Sequence, residues 1–318
     1  MILSVLTNKK NLYIAPKTTR KDIHMKPCKY SIFIEILEAG SFSKAAEKIN
    51  YSQSAISQLV SSLEKELNVP LLHRSKKGLS LTTEGEQLLP YFYDIHKAEI
   101  RLQDVLAQKN DHLTGTVRIG AYTSISCSFL PKVIQSFQEK YPLVDYQIIN
   151  GSYKDIEELI INGGVDLGFV RWPMVHQLDY HHFQPDNLVV VMPNTHPLAS
   201  NTNYPISNLI HEDFVLLDDG YTEELLKFFK NHNAMPRIKY KVKGNLALFG
   251  YISNGLGISI IPEASMKVAP ATLKYLHLTP PLYRSLAIAC KDKKNLSTVN
   301  RMFFDEIISF DSDFISNL

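Results

Sequence analysis

The chain has little of what marks exported or membrane proteins. It contains only three cysteines in 318 residues, Cys28, Cys127 and Cys290, and their number and spacing match neither a disulfide framework nor a zinc site. No apolar run approaches the roughly 20 residues that a membrane span needs. The first residues lack the order of a signal peptide, since the apolar stretch comes first and no small-residue cleavage site follows. We therefore expect a cytoplasmic protein that does not bind membranes.

The chain also has little net charge, and that charge is unevenly distributed. Charged residues make up 21% of the chain, and the net charge is only +2. Met1–Thr82 carries 13 Lys and Arg against 6 Asp and Glu, so the rest of the chain is net acidic. A basic segment in front of an acidic body indicates a polyanion as the partner of the N-terminal part alone. We expect Met1–His24 to be a disordered basic tail or to lie outside the native protein, with Met25 as an alternative start.

Apolar residues at helical spacing predict three short helices after this tail. The first ends at Gly40, a residue that favours helix termination. The second is predicted from an N-cap at Ser43 to Asn50. The third is predicted from an N-cap at Ser52 to Asn68, which takes the left-handed position often filled by glycine.

The outer face of the third helix is polar but nearly uncharged, and no acid precedes Glu64. Ser and Gln offer short donors and acceptors for base edges, whereas acids in the first turns would repel phosphate. Two helices joined by a tight turn, the second with such a face, are typical of a helix-turn-helix. A solvated serine-rich face is the alternative. For Ser52 and Ser54 the alternative is that they serve only as the cap and a first-turn residue of the helix. The residues of this face are Gln53 at the rim, Ser54, Ser57, Gln58, Ser61 and Lys65.

A basic hairpin is predicted directly beyond the third helix. The stretch "PLLHRSKKGLSLTTEGE" alternates as two strands do, over Leu71–Arg74 and Leu79–Thr82. Arg74, Lys76 and Lys77 near its turn would form a wing that contacts phosphate or the minor groove. A solvated Lys-Lys-Gly turn is the alternative interpretation.

A long helix is predicted after the hairpin, opened by a capping box of Thr83 and Glu86. Its apolar residues recur at the 4-3 spacing of a coiled-coil seam, although Pro90 lies inside it and should kink it. Because the segment lies between two predicted domains, we expect the seam to pair with a second copy of the chain. The predicted seam residues are Leu88, Phe92, Ile95, Glu99 as a polar break, Leu102 and Leu106.

From Leu113 onwards, predicted strands alternate with amphipathic helices. "GTVRIGA", "DYQIIN" and "VDLGFV" predict strands of a first lobe, and a second set begins near "NLVVVM". This order indicates two α/β lobes with open, mostly parallel sheets. Ligands of such sheets bind outside the carboxyl ends of the strands, so a cleft between the lobes is the expected ligand site.

The stretch "AGSFSKAAEKINYSQSAISQLVSSLEKELNVPLLHRSKKGLSLTTEGEQLL" resembles the LysR-type transcriptional regulators. The family's wing pattern Leu-Phe-x-Arg appears as Leu71-Leu72-His73-Arg74, with leucine in place of phenylalanine. The resemblance extends over essentially the whole chain after Met25. Weaker motifs follow in the family's order: Leu130-Pro131, Tyr141-Pro142, Asp166-Leu167, His196-Pro197-Leu198 and Gly255-Leu256-Gly257-Ile258 followed by Pro262.

This resemblance implies a multi-domain chain: a mainly-α winged helix-turn-helix, a long linker helix and a two-lobed α/β effector domain like the type-2 periplasmic binding proteins. The implied partners are double-stranded DNA at two-fold-related promoter sites, a small-molecule effector, a second copy through the linker helix, and usually a homotetramer. RNA polymerase is a further partner that the family allows. The implied boundaries are 25–82 for the DNA-binding domain, 83–110 for the linker and 114–318 for the effector domain. Lobe 1 would take about 114–170 and 286–318, and lobe 2 about 171–285.

The family's roles carry over to matching positions of this chain. Gln53, Ser54, Ser57 and Gln58 match the base-reading residues, and Arg74 matches the arginine of the wing. In the family, hydroxyl residues at Thr123 or Ser124 often touch the ligand, and this loop also offers free backbone N–H groups to an anion. The candidate effector residues are Tyr122, Thr123, Ser124, Ser152, Tyr153, Arg171, Trp172, Tyr221 and Asn245.

Two of these candidates have an equally good structural interpretation. Arg171 could clamp an acidic ligand or pair with a nearby acid, and Trp172 could stack on a ring or pack the hinge. A two-lobed solute-binding protein or enzyme would explain the cleft but not the basic head or the seam. Since the sequence shows no catalytic set, no metal spacing and no full dinucleotide fingerprint, we predict a regulator without enzymatic activity, cofactor or metal. A redox role for Cys127 is less favoured, because no resolving cysteine lies at close spacing.

Overall fold

The computed structural model describes residues 27–75, 78–107, 113–183, 185–218 and 222–311; the side chains of 74, 75, 78 and 103–107 are not included. Within these residues no helix is long and apolar enough to cross a membrane. The predicted tail Met1–His24 lies outside them.

The N-terminal head begins with three helices, α1 (Lys29–Ala39), α2 (Phe42–Ile49) and α3 (Gln53–Leu67). Gly40 ends α1 with a φ of 67°, and Asn50 and Asn68 end the next two helices in the same left-handed conformation. The N-cap of α2 is Ser41, whose side chain accepts a hydrogen bond from the N–H of Lys44. The predicted cap Ser43 is therefore wrong, because the helix begins two residues earlier than the serine pattern indicates.

The hairpin consists of β1 (Leu72–Ser75) and β2 (Gly78–Leu81), which pair in antiparallel fashion. It leads into α4 (Thr83–Ala107), a single helix that includes Pro90. Thr82, not Thr83, caps α4: its hydroxyl accepts from the N–H of Gly85 at 2.9 Å and donates to the carbonyl of Pro70 at 2.7 Å. This cap joins the start of the long helix to the base of the hairpin.

The predicted seam on α4 is only partly correct. Leu88 and Phe92 pack into the core of their own head, and the carboxylate of Glu99 accepts hydrogen bonds from the N–H of Cys28 and the hydroxyl of Ser31. One flank of α4 is thus occupied by α1, so the outward-facing stripe keeps only part of the predicted seam. We call this stripe the α4 stripe, and it consists of Tyr91, Ile95, Ala98 and Leu102, all exposed. The side chain of Leu106 lies outside the described part of the chain.

The C-terminal domain contains eleven strands and six helices within the described residues, besides short 3-10 turns. Its strands are β3 (Gly115–Ala121), β4 (Val144–Asn150), β5 (Leu167–Arg171), β6 (Asp179–His182), β7 (Asp186–Pro193), β8 (Asn203–Pro205), β9 (Asp213–Leu217), β10 (Arg237–Val242), β11 (Ser259–Pro262), β12 (Leu273–Arg284) and β13 (Leu286–Cys290). Its helices are α5 (Thr123–Cys127), α6 (Leu130–Lys140), α7 (Tyr153–Ile161), α8 (Thr222–Asn231), α9 (Asn245–Ser253) and α10 (Thr298–Ser309).

Lobe 1 is a five-stranded sheet in the order β4-β3-β5-β13-β6, covered by helices. β4 and β5 run parallel to β3, whereas β13 is antiparallel to both β5 and β6. β6 pairs with β13 in the sheet of lobe 1, whereas β7 belongs to the sheet of lobe 2. The chain therefore first crosses between the lobes after β6, and the predicted crossing near Val170–Arg171 is wrong. The second crossing is at Ser285, where the sequence places it.

Lobe 2 differs from the mostly parallel sheet that the sequence predicts. Its main sheet has the order β11-β7-β12-β8, in which β7 is antiparallel to both neighbours. The β12–β8 pair and a separate β9–β10 pair are parallel. The order of strands and helices along the chain does not show whether two strands pair in parallel or antiparallel fashion. That is decided by which strands become neighbours in the folded sheet.

The head rests against lobe 1 of its own chain through a buried charge cluster. The guanidinium of Arg118 on β3 donates to the carboxylate of Asp166 at 3.0 and 3.2 Å and lies 3.5 Å from the carboxylate of Glu38 at the end of α1. The ammonium of Lys97 on α4 lies 3.1 Å from Asp166. This cluster, Glu38, Lys97, Arg118 and Asp166, joins all three parts of the molecule.

Candidate functional site

The outer face of α3 is exposed where the sequence predicts base contacts. Gln53, Ser54, Gln58 and Ser61 are exposed, and Ser57 is half-buried. The opposite face packs into the head through Ile56, Val60 and Leu63, each fully buried. Burial of one face therefore orients the polar face away from the protein. The base contacts themselves stay a prediction.

The first turn of α3 is held by side-chain hydrogen bonds. The hydroxyl of Ser52 accepts from the N–H of Ala55 at 3.1 Å and lies 3.0 Å from the hydroxyl of Ser54. The hydroxyl of Ser43 on α2 donates to the side-chain oxygen of Gln53 at 3.1 Å. Ser54 is thus engaged with the cap, whereas the carboxamide of Gln53 is oriented by the preceding helix.

The first acid on α3 is turned away from the polar face. One carboxylate oxygen of Glu64 accepts from the N–H groups of Leu71 and Leu72, at 2.8 and 3.2 Å. This contact fixes the start of the hairpin against α3. The backbone of Arg74 pairs with Leu79 in that hairpin. The side chain of Arg74, and Lys76 and Lys77 as a whole, lie outside the described residues, so the wing contacts stay predictions.

A buried arginine lies at the boundary between the two lobes. Arg284, the last residue of β12, is 3% exposed and donates from Nε to the carboxylate of Asp186 at 2.6 Å. Its other nitrogens donate at 3.0 Å to the hydroxyls of Tyr153 and Ser124 in lobe 1. Burial lowers the pKa of Arg284, but the charge of Asp186 and the hydrogen bonds to Asp186 and Tyr153 together outweigh burial. The pKa of Arg284 therefore lies above its ordinary value, and the group stays charged.

Tyr122 lies beside this arginine cluster with its hydroxyl buried. Its ring centroid is 4.2 Å from that of Tyr153, and the residue is 6% exposed. Within the described residues its hydroxyl has no hydrogen-bond partner. Burial raises the pKa of this phenol well above the ordinary value, so the hydroxyl keeps its proton. A buried hydroxyl without a partner is unusual in a folded protein, which makes Tyr122 a candidate for contact with a ligand.

The other candidates of lobe 1 have different surroundings. Thr123 is exposed at the start of α5. Ser152 is the N-cap of α7 and shares a capping box with Asp155, so its hydroxyl is engaged within the helix end. The ring of Trp172 packs on that of His182 at 4.7 Å, which agrees with the hinge-packing interpretation.

Arg171 is paired across the lobes. Its guanidinium contacts the carboxylate of Glu224 on α8, so the ion-pair alternative describes the structure. In lobe 2, Asn245 is buried at the start of α9, and it does not line the cavity described next. Tyr221 lies outside the described residues.

A small cavity adjoins the arginine cluster through Tyr153. Its volume is about 20 Å³, which is room for about one water molecule. A ligand larger than one water molecule therefore does not fit in this cavity as it stands. The cavity is lined by Tyr153, Leu188, Leu217, Thr222, Leu225, Ile260 and Pro262.

The sequence reasoning missed Arg284, Asp186 and Glu224. Arg284 is the last residue of β12 and lies one residue before the second lobe crossing. The strand that follows, β13, is apolar. An arginine at such a position is a signal of a buried ion pair, because a buried charge must be paired. The partner Asp186, 98 residues earlier, has no local signal.

Other reactive groups form no site in the described part of the chain. No group of three or more His, Cys, Asp or Glu side chains is placed to hold a metal there. Cys28, Cys127 and Cys290 are all unpaired thiols, and burial raises the pKa of Cys290 to about 12. His181 pairs with Asp311 at 3.0 Å.

Comparison with known proteins identifies both domains. Residues 29–86 match the family model "Bacterial regulatory helix-turn-helix protein, lysR family", and residues 110–310 match "LysR substrate binding domain". The HTH-type transcriptional regulator YvbU of Bacillus subtilis (strain 168) is 30% identical over 277 residues, which are 86% of this chain and 94% of the relative.

Solved structures share the fold. Full-length OxyR from Pseudomonas aeruginosa gives a TM-score of 0.71 at 21% identity, covering 89% of this chain and 95% of that chain. The regulatory domain of Synechocystis PCC6803 CcmR, in complex with 2-PG, gives a TM-score of 0.58 at 26% identity and covers 63% of this chain and 99% of that chain. The architecture expected from the sequence, a helix-turn-helix joined to a two-lobed α/β effector domain, is confirmed. The chain belongs to the LysR family of transcriptional regulators.

Proposed function

We propose that the chain reads two-fold-related promoter sites with the polar face of α3, as a dimer held together by the α4 stripe. The observation that carries this proposal is the pairing of an exposed, acid-free Ser/Gln face with an apolar stripe on a neighbouring long helix. Two reading helices related by a dimer axis match two half-sites on DNA. In keeping with the family, two dimers assemble into a tetramer, and the assembly acts on transcription in concert with RNA polymerase.

The test of DNA reading is a gel shift of the full chain on the DNA upstream of its own gene, titrated with salt and with competitor DNA. We expect a cooperative shift that survives excess random DNA. Its affinity should fall steeply with salt, because binding releases counterions from phosphate. Failure on this DNA and in a genome-wide selection of binding sites would overturn the proposal.

We further propose that a small-molecule effector binds in the cleft between the lobes, at the loop that begins with Tyr122. The buried hydroxyl of Tyr122 and the small cavity at the lobe boundary support this, and so does the ligand-bound regulatory domain of CcmR. Binding would separate the lobes and so alter how the heads are held.

The exposed hydroxyl of Thr123 tests this second part. Thr123→Val should impair the response to effector while basal DNA binding is retained, because the change removes a hydroxyl without altering volume. Thr116→Val, also exposed but on β3 outside the loop, is the matched control and should respond as the unaltered chain does. If Thr123→Val loses all DNA binding, the change acts on folding and the assignment of Thr123 to the effector falls.

A further inference from the structure

The hydroxyl of Ser43 links the two helices of the helix-turn-helix. Ser43 is the second residue of α2, and the cap of that helix is Ser41. The hydroxyl of Ser43 donates to the side-chain oxygen of Gln53, the first residue of α3, at 3.1 Å. Both residues are exposed, so the pair lies at the surface that the polar face of α3 presents. A residue of α2 therefore contacts the first side chain of that face.

The turn between the two helices is held by hydrogen bonds of its own. The N–H of Tyr51 donates to the carbonyl of Ala46 at 3.0 Å, and the hydroxyl of Ser52 caps α3. The contact between Ser43 and Gln53 is therefore not needed to form the turn. Its loss should free the side chain of Gln53 and leave both helices in place.

The single proton of the Ser43 hydroxyl decides what this residue can do at DNA. A phosphate oxygen only accepts hydrogen bonds, so a serine that contacts phosphate must donate its proton to it. In this structure the proton is donated to Gln53 instead. The geometry therefore favours a role of Ser43 through Gln53 over a contact of Ser43 with the DNA backbone.

The contact with Ser43 leaves the base-reading edge of Gln53 available. A carboxamide oxygen has two lone pairs, and the amide nitrogen carries two protons. Since Ser43 occupies one lone pair, the other lone pair and the amide protons can still pair with N6 and N7 of an adenine in the major groove. A side chain that is already held in place loses less rotamer freedom on binding. The ordered carboxamide should therefore bind its base more tightly than a free one.

We propose that Ser43 is a positioning residue for base recognition. It holds the carboxamide of Gln53 so that one adenine in each half-site is preferred, and it acts only through Gln53. This role rests on the proposed function, because α3 must lie in the major groove of DNA. It adds the base that is read at one position and the residue that sets the preference for it.

A double-mutant cycle on the full chain tests this role. Gel shifts measure the ratio of the affinities for the selected promoter site and for random DNA, in Ser43→Ala, Gln53→Ala and the double variant. Gln53→Ala should lower this ratio about tenfold, the usual loss for one base contact of this kind. Ser43→Ala should lower it about three- to tenfold, since a free glutamine side chain must be immobilised on binding. The double variant should equal Gln53→Ala alone, because nothing is left for Ser43 to position.

Two further variants separate positioning from a general loss of structure. Ser43→Thr keeps the hydroxyl and should retain the ratio of the unaltered chain. Ser62→Ala removes another exposed hydroxyl, on the flank of α3, and should also leave the ratio unchanged. Ser43→Ala should remain folded in urea unfolding and keep its affinity for random DNA, because alanine is a better helix former than serine.

Chemically altered DNA identifies the base. Each adenine of the selected site is replaced in turn by 7-deazaadenine, which lacks the N7 acceptor. For the unaltered chain, one such replacement in each half-site should weaken binding about fivefold, the loss expected for one hydrogen bond. The same replacement should matter less in Ser43→Ala and not at all in Gln53→Ala.

Three outcomes would overturn the proposal: an unchanged ratio in Ser43→Ala, additive losses in the double variant, or no adenine whose replacement weakens binding. Additive losses would show that Ser43 contacts DNA itself. Specific DNA binding that does not depend on Ser43 rejects the positioning role alone. Absence of specific binding by the unaltered chain, on its own promoter and after genome-wide selection, rejects the regulatory function and this role with it.

Discussion

At the scale of single residues, some hydroxyl side chains cap helices and others orient neighbouring side chains. Ser41, Thr82 and Ser152 accept hydrogen bonds from helix N–H groups and are engaged there. Ser43, predicted to be a cap, instead orients Gln53. A shift of one or two residues in a helix start decides between these roles, and local sequence fixes helix starts only to within that margin.

Gln53 is the residue whose loss should affect sequence preference most directly. Gln53→Ala removes a carboxamide that pairs well with adenine, so the preference for specific over random DNA should fall by about 1–3 kcal/mol. The matched control is Ser62→Ala, exposed on the flank of the same helix, which should leave the preference unchanged. Competition gel shifts measure both. An intact preference in Gln53→Ala would show that the base contacts are made elsewhere.

At the scale of elements, α4 illustrates how one helix serves two surfaces. Its heptad-like pattern predicts a seam, but the residues at 88, 92 and 99 face its own head. The exposed stripe keeps only Ile95 and Leu102 of the predicted seam. The pattern of apolar residues alone could not separate these faces, because a helix that packs on both sides carries two overlapping stripes.

Leu102 tests the α4 stripe as a dimer contact. Leu102→Lys places a charge in the stripe and should shift the chain toward monomer, as measured by sedimentation. The control is Leu143→Lys, since Leu143 is equally exposed, at 50%, but lies in lobe 1. An unchanged mass for Leu102→Lys would place the dimer interface on another surface.

Gly85 tests the junction between hairpin and long helix. A Cβ at Gly85 would lie 2.4 Å from the carbonyl oxygen of Leu71, so Gly85→Ala must displace backbone and should destabilise the protein by about 1–3 kcal/mol. Gly250→Ala, inside α9 with nothing within 4 Å of the new Cβ, should instead stabilise by up to about 1 kcal/mol. Urea unfolding compares the two. If the two variants change the free energy of unfolding equally, the backbone of Leu71 does not lie as close to Gly85 as the structure indicates.

At the scale of the whole molecule, the head and lobe 1 are joined by buried charges. Arg118 contacts Asp166 from its own lobe and Glu38 from the head, and Lys97 adds a contact from α4. Such a cluster is costly to break, because removing one partner leaves another charge buried without compensation. It gives the effector domain a direct physical connection to the DNA-binding head.

Asp166→Asn tests this cluster, and its effect should depend on pH. Burial disfavours the charge of Asp166, but Arg118 and Lys97 outweigh this and hold its pKa below the ordinary 3.8. A lowered carboxyl pKa contributes stability above the unfolded value, and this contribution is lost as the pH falls through the folded value. Asp166→Asn should therefore cost about 3–5 kcal/mol at neutral pH, and less as the pH falls below 3.8.

Urea unfolding across this pH range measures the difference. Asp305→Asn is the control, because Asp305 is 58% exposed and its pair with Lys293 should contribute no more than about 1 kcal/mol. The free energies of unfolding of Asp166→Asn and the unaltered chain should converge as the pH falls. A constant difference between them would contradict the ion pairing of Asp166 with Arg118 and Lys97.

The sequence by itself determined the helix-turn-helix, the long helix and the two-lobed plan, because these rest on local signals. Each helix end and each apolar stripe is encoded by residues only a few positions apart. Examples are the helix ends at Gly40, Asn50 and Asn68 and the apolar stripe of α3. Only the tertiary structure decided the pairing of strands in lobe 2, the position of the α4 stripe and the buried pair of Arg284 and Asp186. These depend on contacts between residues far apart in the chain, whose partners are chosen by packing and desolvation of the whole domain.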